Sequence, residues 1–209
     1  MINSELRLYI ENNILPQYAL NDKGHSAEHI EYVTRRSLLF AEQFESIDIN
    51  MVYVIASYHD IAHHIDKKIH EQLSAEIFYS DEEMKKYFTD SQRLTIRQAI
   101  EDHRASLETE PRSDYGKIIS SADRSTDADE FLRRTHAYTL RYFPGCSETE
   151  ALGRGYEHTS QKYGKEGYAK HYVRDEEYEK FRADIESLIS DRGAFDRRYR
   201  EVNRLPLNE

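Results

Sequence analysis

The 209-residue sequence has little of the chemistry that defines several common classes of protein. Cysteine occurs once, at Cys146, so an intrachain disulfide and a cysteine-rich zinc site are both excluded. No apolar run approaches the roughly 20 residues that a membrane-spanning helix needs. The N-terminal residues carry charges throughout and lack the apolar segment of a secretory signal. We therefore expect a cytoplasmic protein with no membrane partner.

Basic residues are too few for several kinds of partner. The chain has 29 Lys and Arg against 39 Asp and Glu, which gives a formal net charge of -10. Long nucleic acids and anionic membranes need a basic surface, so neither is an expected partner. A local basic pocket for a small phosphorylated substrate is compatible with this balance. The sequence is also compatible with a homo-oligomer and does not define its size.

Glycine and proline are scarce too, with 8 and 4 residues, and apolar residues recur at three- and four-residue intervals. This pattern predicts an all-α fold, in which a helical core at 1–130 precedes a C-terminal helical extension at 131–209. Ser26 and Ser91 are the expected N-caps of the second and fifth helices. We expect three or four helices between 129 and 204, preceded by helices at 3–19, 27–45, 48–63, 68–81, 91–105 and 113–126.

Several predicted helices carry a His or an Asp at the end of an apolar stripe. In the third helix, Val52, Ala56, His59 and His63 share one face, with Asp60 beside them. The same arrangement recurs in three other predicted helices, at His29, His103 and Asp123. Each of these residues alone is more often a core residue, a cap or half of an ion pair.

Burying several such groups together is costly unless a cation compensates them. A divalent metal ion does so, because it pairs with carboxylates and neutral imidazoles at once. Imidazole and carboxylate donors without thiolate suit Mn, Fe, Ni, Zn or, with more oxygen atoms, Mg. The combination therefore favours a metal site over a set of unrelated core residues.

The run HDIAH at 59–63 permits two motif interpretations. As H-D-x-x-H it imitates the zincin motif H-E-x-x-H, in which two histidines one turn apart bind zinc and the acid between them is a base. Here the acid is Asp, which is one methylene shorter, and no third ligand follows at the expected distance. The second interpretation therefore has more weight.

In that interpretation the sequence resembles the HD-domain metal-dependent phosphohydrolases over roughly residues 20 to 130. The resemblance rests on the stretches HSAEHIEYV, YHDIAHH and SSADRSTD, of which the HD doublet and the ADR run are the most specific. It implies a compact helical bundle in which His29, His59, Asp60 and Asp123 bind a divalent metal ion. His25, four residues before His29, is the rival for the first of these positions.

Some members of that family hold a second metal ion, and His70 and His103 stand at similar places here. The resemblance therefore implies one or two divalent ions. His63 stands where other members have a lysine that approaches the phosphate, so His63 and His64 are candidate acids or phosphate contacts. Asp60 would also orient the attacking water, which makes Asp60 and His63 the candidate catalytic residues.

Arg104 and Arg124 directly follow ligand candidates and, with His64, form the predicted substrate-binding set. Pairing of both arginines with nearby carboxylates is an equally good interpretation. Asp127 comes one residue later than the family's ADRLD run would place it, so we expect it to cap a helix or support the site from outside.

The implied function is metal-dependent hydrolysis of phosphate esters or anhydrides in a small phosphorylated metabolite, with a nucleotide as the expected substrate. Four alternatives stay open: a cyclic-nucleotide phosphodiesterase, a metal-dependent nuclease, oxygen-dependent chemistry at a di-iron site, and a regulatory module that binds metal or nucleotide without turnover. The extension would form either a substrate cap with a mobile loop at 163–170 or an ordinary solvated surface. The residues of the cap would be Arg133, Arg134, Tyr156, Lys162, Lys165, Tyr168 and Lys170.

Overall fold

A computed structural model describes residues 1–205 of the chain. Within them all regular elements are helical and no strand occurs, which confirms the all-α prediction. None of these helices is both long and apolar enough to cross a membrane. The ten α-helices in this part of the chain are α1 (Ser4–Tyr9), α2 (Ala27–Ala41), α3 (Ile49–Tyr58), α4 (His70–Ser80), α5 (Asp90–Glu101), α6 (Asp114–Ala122), α7 (Ala128–Tyr142), α8 (Glu148–Tyr163), α9 (Glu176–Ser190) and α10 (Arg192–Asn203).

The described chain forms two compact units, each with its own apolar core. The first comprises Met1–Arg124 and His171–Arg174, and the second comprises Ser125–Lys170 and the chain from Asp175 onward. Helices α7 to α10 of the second unit agree with the three or four helices predicted for the tail. All residues predicted to bind metal or substrate lie in the first unit. The cap proposed for the extension stays a prediction.

Helix α3 is the centre of the first unit. It begins at Ile49, where the side chain of Asp48 accepts a hydrogen bond from the backbone N–H of Asn50, and residues 51–58 are all buried. Helices α2, α5 and α6 pack against it. The nearly unbroken apolar run predicts a helix that is surrounded on all sides, and the structure confirms this. Polar residues at the end of α3 therefore lie deep in the unit.

Helices α2 to α6 all end earlier than the apolar periodicity predicts, and the early ends of α3 and α6 shape the site. The prediction extends α3 to residue 63, whereas the helix ends at Tyr58 and residues 59–65 continue in successive tight turns. Likewise α6 ends at Ala122 instead of 126, with Asp123 as its C-cap residue. His59, Asp60 and Asp123 thus follow helix ends, where the backbone leaves the helix axis.

The N-terminal segment and the caps differ from the prediction in smaller ways. The single helix expected at 3–19 is α1 followed by a π-helical turn at Ile10–Ile14 and a 3-10 turn at Leu15–Leu20. Ser91 does not cap α5, because Thr89 does so in a reciprocal capping box with Gln92. Asp127 is the N-cap of α7, in agreement with the capping role expected of it.

Candidate metal centre

Six buried or nearly buried polar side chains converge around the end of α3. His29 comes from the first turn of α2, His70 from the first residue of α4, and the others directly follow α3, α5 and α6. Together they form two overlapping groups, in each of which one donor atom per residue lies within 4.8 Å of the others. The first donor group is His29, His59, Asp60 and Asp123, and the second donor group is Asp60, His70 and His103.

The carboxylate of Asp60 belongs to both donor groups and divides its oxygen atoms between them. Oδ2 lies 3.4 Å from Nε2 of His59 and 3.7 Å from Nε2 of His29. Oδ1 lies 3.2 Å from Nε2 of His70 and 3.3 Å from Nε2 of His103. A bridging carboxylate between two cation positions has this arrangement, with one oxygen atom directed to each.

Asp123 completes the first donor group. Its Oδ1 atom is 3.1 Å from Nε2 of His29 and 4.0 Å from Nε2 of His59. The structure thus brings together all six residues that the family resemblance implies as metal ligands. Of the two rivals for the first position, His29 lies in this group and His25 does not.

Hydrogen bonds to the backbone fix three of the imidazole rings in one orientation. In each case Nδ1 lies within hydrogen-bonding distance of the carbonyl three residues earlier: His59 with Ala56 at 2.9 Å, His70 with Lys67 at 3.0 Å, and His103 with Ile100 at 2.6 Å. A carbonyl only accepts, so Nδ1 carries the proton and, in the neutral ring, Nε2 presents a lone pair. Metal-binding histidines are commonly held by such a second hydrogen bond.

The second donor group consists of acceptors that face one another. Nε2 of His70 lies 3.2 Å from Nε2 of His103, and both nitrogen atoms face Oδ1 of Asp60. When Nδ1 of each ring carries the proton, three lone pairs converge on one small volume. A cation relieves that repulsion, so the donor chemistry of these residues fits a bound divalent ion.

Charges within the site keep its carboxylates ionised. Burial alone would lower the pKa of His29, but Asp123 and Asp60 outweigh it and raise the pKa to about 9. Burial alone would raise the pKa of Asp60 and of Asp123, yet the neighbouring histidines hold the pKa of both well below the ordinary value. Burial lowers the pKa of His103, which favours its neutral ring. Two carboxylates therefore carry charge beside the imidazoles, that of Asp60 buried and that of Asp123 with 21% of its side chain exposed.

A third cluster, which we call the His25 stack, contains Asp22, His25 and His63. Its carboxylate is already compensated, because Lys67 Nζ donates to Asp22 Oδ2 at 2.6 Å and His25 Nδ1 lies 2.8 Å from Oδ1. The rings of His25 and His63 stack with centroids 3.5 Å apart and an interplanar angle of 21°. Lone pairs in nearly parallel planes do not converge on one ion. The His25 stack therefore holds the ring of His63 in place, and its donor atoms are poorly arranged to bind a metal ion.

The ring of His63 contacts the rings of His25 and His70. His63 is buried, its ring lies edge-on to that of His70 at 5.1 Å, and its Nδ1 atom has no hydrogen-bond partner among residues 1–205. Burial and the nearby His25 lower the pKa of His63 to about 3. This buried nitrogen atom is close to the second donor group, and its contact with a substrate stays a prediction.

The two arginines predicted to bind substrate make contacts within the chain. Arg124 is buried, and its Nη2 donates to the carbonyl of His103 at 3.3 Å and to Ser120 Oγ at 2.6 Å. Arg104 Nη1 lies 3.1 Å from the carboxylate of Glu71. Arg124 Nη1 also lies 3.7 Å from Oδ2 of Asp123, so each arginine has a nearby carboxylate, as the alternative interpretation expects. Binding of phosphate by either one stays a prediction.

His64, the third predicted substrate contact, is exposed and lies against Asn21. Asn21 Oδ1 accepts from the backbone N–H of His64 at 2.9 Å, and Asn21 Nδ2 donates to the carbonyl of Asp60 at 2.9 Å. The Asn21 side chain therefore hydrogen-bonds to the turn that follows α3 at two residues, His64 and Asp60, and holds the backbone of Asp60 in place. Asn21 could not be predicted as a site residue, because an isolated asparagine in a loop belongs to no motif and no periodic pattern.

Comparison with known families agrees with this geometry. Residues 26–127 match the family model of the HD domain, and that segment contains both donor groups. The chain therefore contains an HD domain, the domain that is typical of metal-dependent phosphohydrolases, and it carries a His/Asp cluster that resembles their metal site. Searches of curated proteins and of solved structures returned no match to the chain.

Proposed function

We propose that this protein hydrolyses phosphate esters or anhydrides in a small phosphorylated metabolite, with a nucleotide as the expected substrate, at a site that binds two divalent cations. The observation that carries the proposal is the position of Asp60 between two sets of imidazole Nε2 atoms. A lone buried carboxylate needs one compensating partner. Asp60 instead directs each of its two oxygen atoms to a different pair of imidazole Nε2 atoms, which is suited to bridging two cations.

The donor atoms favour transition-metal ions over magnesium. The first donor group offers two nitrogen and two oxygen atoms, and the second offers two nitrogen atoms and one oxygen atom. Magnesium prefers an all-oxygen octahedron, whereas imidazole suits Mn, Fe, Ni and Zn. We therefore propose a pair of such ions as the resident cofactor.

The residues of the chain have separate tasks in the proposed reaction. When bound, the ions would lower the pKa of a water molecule and neutralise charge on the phosphoryl group. Asp60 and Asp123 hold negative charge in the buried site, and Asp60 also orients the nucleophilic water. His63 contacts the phosphoryl group or the leaving oxygen through its Nδ1 atom, which has no hydrogen-bond partner within the described residues 1–205. His64, Arg104 and Arg124 remain the proposed outer contacts of the substrate.

A screen of metal ions and substrates tests the proposed activity. Metal-free protein is loaded with Mn, Fe(II), Ni, Zn or Mg, and phosphate release from nucleotides and sugar phosphates is measured. We expect release with at least one transition-metal ion and little with Mg alone. Metal-loaded protein that binds a nucleotide without turnover would identify a regulatory module. Cleavage of cyclic nucleotides alone would identify a phosphodiesterase, and consumption of oxygen by the iron form would identify oxidative chemistry.

Replacement of His63 by Phe tests its catalytic role in whichever substrate that screen finds. The ring can still stack on His25 while both nitrogen atoms are lost, so we expect kcat to fall by about 10²-fold or more. Metal content should stay unchanged. His158→Phe is the matched control, because His158 also stacks on an aromatic ring, that of Phe131, but lies in the second unit. An unchanged kcat in His63→Phe would show that His63 has no part in the chemistry.

Replacement of His103 by Ala separates the two proposed metal positions. The second donor group would keep only Asp60 and His70, whereas the first would keep all four donors. We expect the metal content, measured by elemental analysis after loading and desalting, to fall from two ions per chain to one. His136→Ala in the second unit is the control. Two retained ions, or the loss of both, would contradict the assignment of His103 to one position.

A further inference from the structure

We infer that Arg36 is a positioning residue for Asp123, and that it sets the affinity of the first donor group for its metal ion. The inference rests on the proposed function, in which Asp123 is a ligand. No sequence motif points to Arg36, and it is absent from both donor groups. Its role follows from where its guanidinium lies.

Arg36 holds the backbone on both sides of Asp123. The side chain comes from α2, and the residue is only 4% exposed. Its Nη1 atom donates to the carbonyl of Ala122 at 2.9 Å and to the carbonyl of Arg124 at 2.8 Å. These two carbonyls belong to the residues immediately before and after Asp123. One nitrogen atom therefore holds the peptide group that precedes Asp123 and the peptide group that follows Arg124, so the backbone is anchored on either side of Asp123.

The end of α6 needs such a donor. The last carbonyl groups of a helix have no partner within the helix, and burial makes an unsatisfied carbonyl costly. Asp123 is the C-cap residue, with φ -79° and ψ 0°, so the chain leaves the helix at this residue. Arg36 satisfies two carbonyls at the point of departure. These two hydrogen bonds stabilise the end of α6 at Ala122 and the turn of the backbone that follows it.

The guanidinium of Arg36 is itself held in place by aromatic rings of its own helix. It lies over the ring of Tyr32 at 5.2 Å and over the ring of Phe40 at 5.0 Å, each one turn away along α2. A guanidinium confined on both sides has few alternative orientations. Arg36 thus acts as a rigid support for Asp123.

Helix α2 also carries a residue of the first donor group. His29 is seven residues before Arg36, and so both side chains project from the same face of the helix. Nε2 of His29 is 3.1 Å from Oδ1 of Asp123. Arg36 therefore fixes the distance between two donor atoms of one metal position by joining the elements that carry them. His70 and His103 of the second donor group come from other helix ends.

Metal titration of Arg36 variants tests the inference with a readout other than activity. Mn²⁺ is titrated into metal-free wild-type, Arg36→Met and Arg36→Lys proteins, with calorimetric or chelator-competition detection. We expect Arg36→Met to weaken one of the two binding events about tenfold or more and to leave the other unchanged. Arg36→Lys should fall between wild type and Arg36→Met, since an ammonium group restores a donor without the planar fork. Wild-type affinities in Arg36→Met would overturn the inference.

Arg35→Met is the matched control. Arg35 is the adjacent residue of the same helix, is exposed, and contacts the ring of Tyr32 at 5.7 Å. The same substitution there removes the same charge and volume without touching the end of α6. Its two binding events should equal those of wild type. A loss as large as that of Arg36→Met would assign the effect to net charge and overturn the inference.

A double-mutant cycle with Asp123→Asn separates positioning from general loss of stability. If Arg36 acts through Asp123, its replacement should reduce metal affinity little further in the Asp123→Asn background. Fully additive losses would overturn the inference. If Arg36→Met does not fold, Arg36→Lys replaces it in the cycle. Metal binding by a wild-type protein that hydrolyses nothing would refute the proposed function and leave this test intact.

Discussion

Replacement of Asp60 by Asn is expected to remove both proposed metal ions and to lower the proposed phosphatase activity by about 10³-fold or more. Each oxygen atom of Asp60 faces two imidazole Nε2 atoms, one pair in each donor group. An amide has the same shape but lacks the charge, and its NH2 group donates where a metal ion would bind. In the Asp60→Asn protein, no carboxylate is left that is shared by the two donor groups.

Asp81→Asn is the control for this substitution. Asp81 is a carboxylate of the same unit whose Oδ2 accepts hydrogen bonds from Tyr9 at 2.8 Å and from Tyr58 at 2.6 Å. Its replacement should reduce stability and leave metal content and kcat close to those of wild type. Metal content is measured by elemental analysis and activity with the substrate found in the screen. An Asp60→Asn protein that retains two ions would exclude Asp60 as the bridge.

Metal loading is expected to stabilise the protein strongly. At a free metal concentration of 100 times Kd, one ion that binds only the folded chain adds about 2.7 kcal/mol to the free energy of unfolding. For a chain of this size that corresponds to a rise in Tm of roughly 5–10 °C per ion. The physical source is the relief of repulsion among the acceptors of the donor groups, above all between His70 and His103 at 3.2 Å.

Thermal unfolding of metal-free and Mn-loaded protein measures this effect. The Asp60→Asn protein is the control, and its Tm should not respond to the metal. A chelator should reverse the stabilisation of the wild-type protein. Equal Tm values for the metal-free and loaded wild-type proteins would contradict a metal site in the folded core.

The sequence predicts the parts of this site that depend on local pattern. The apolar run INMVYVIA indicates a central buried helix, and the HD doublet that follows it predicts His59 and Asp60 at its end. The structure places α3 in that role and brings His29 and Asp123 to the doublet from other helices. The periodicity does not reveal that α3 ends at Tyr58, because Ile61 and Ala62 prolong the apolar stripe beyond the helix.

The contacts that hold Asp60 and Asp123 in place cannot be predicted from local sequence patterns. Arg36 and Arg35 are adjacent and alike in the sequence, yet one is buried and the other is exposed. Only the fold shows that Arg36 reaches carbonyls 86 and 88 residues away. Asn21 likewise contacts Asp60 from 39 residues away. Such contacts depend on how distant elements pack, for which a single sequence has no periodic signal.

In the proposed site the carboxylate of Asp60 bridges two divalent ions. Anomalous X-ray diffraction from crystals of the Mn-loaded protein tests it most directly. We predict two anomalous peaks on opposite sides of that carboxylate, one within bonding distance of the first donor group and one within bonding distance of the second. No peak at Asp60, or a peak at the His25 stack instead, would show that Asp60 does not bridge two ions.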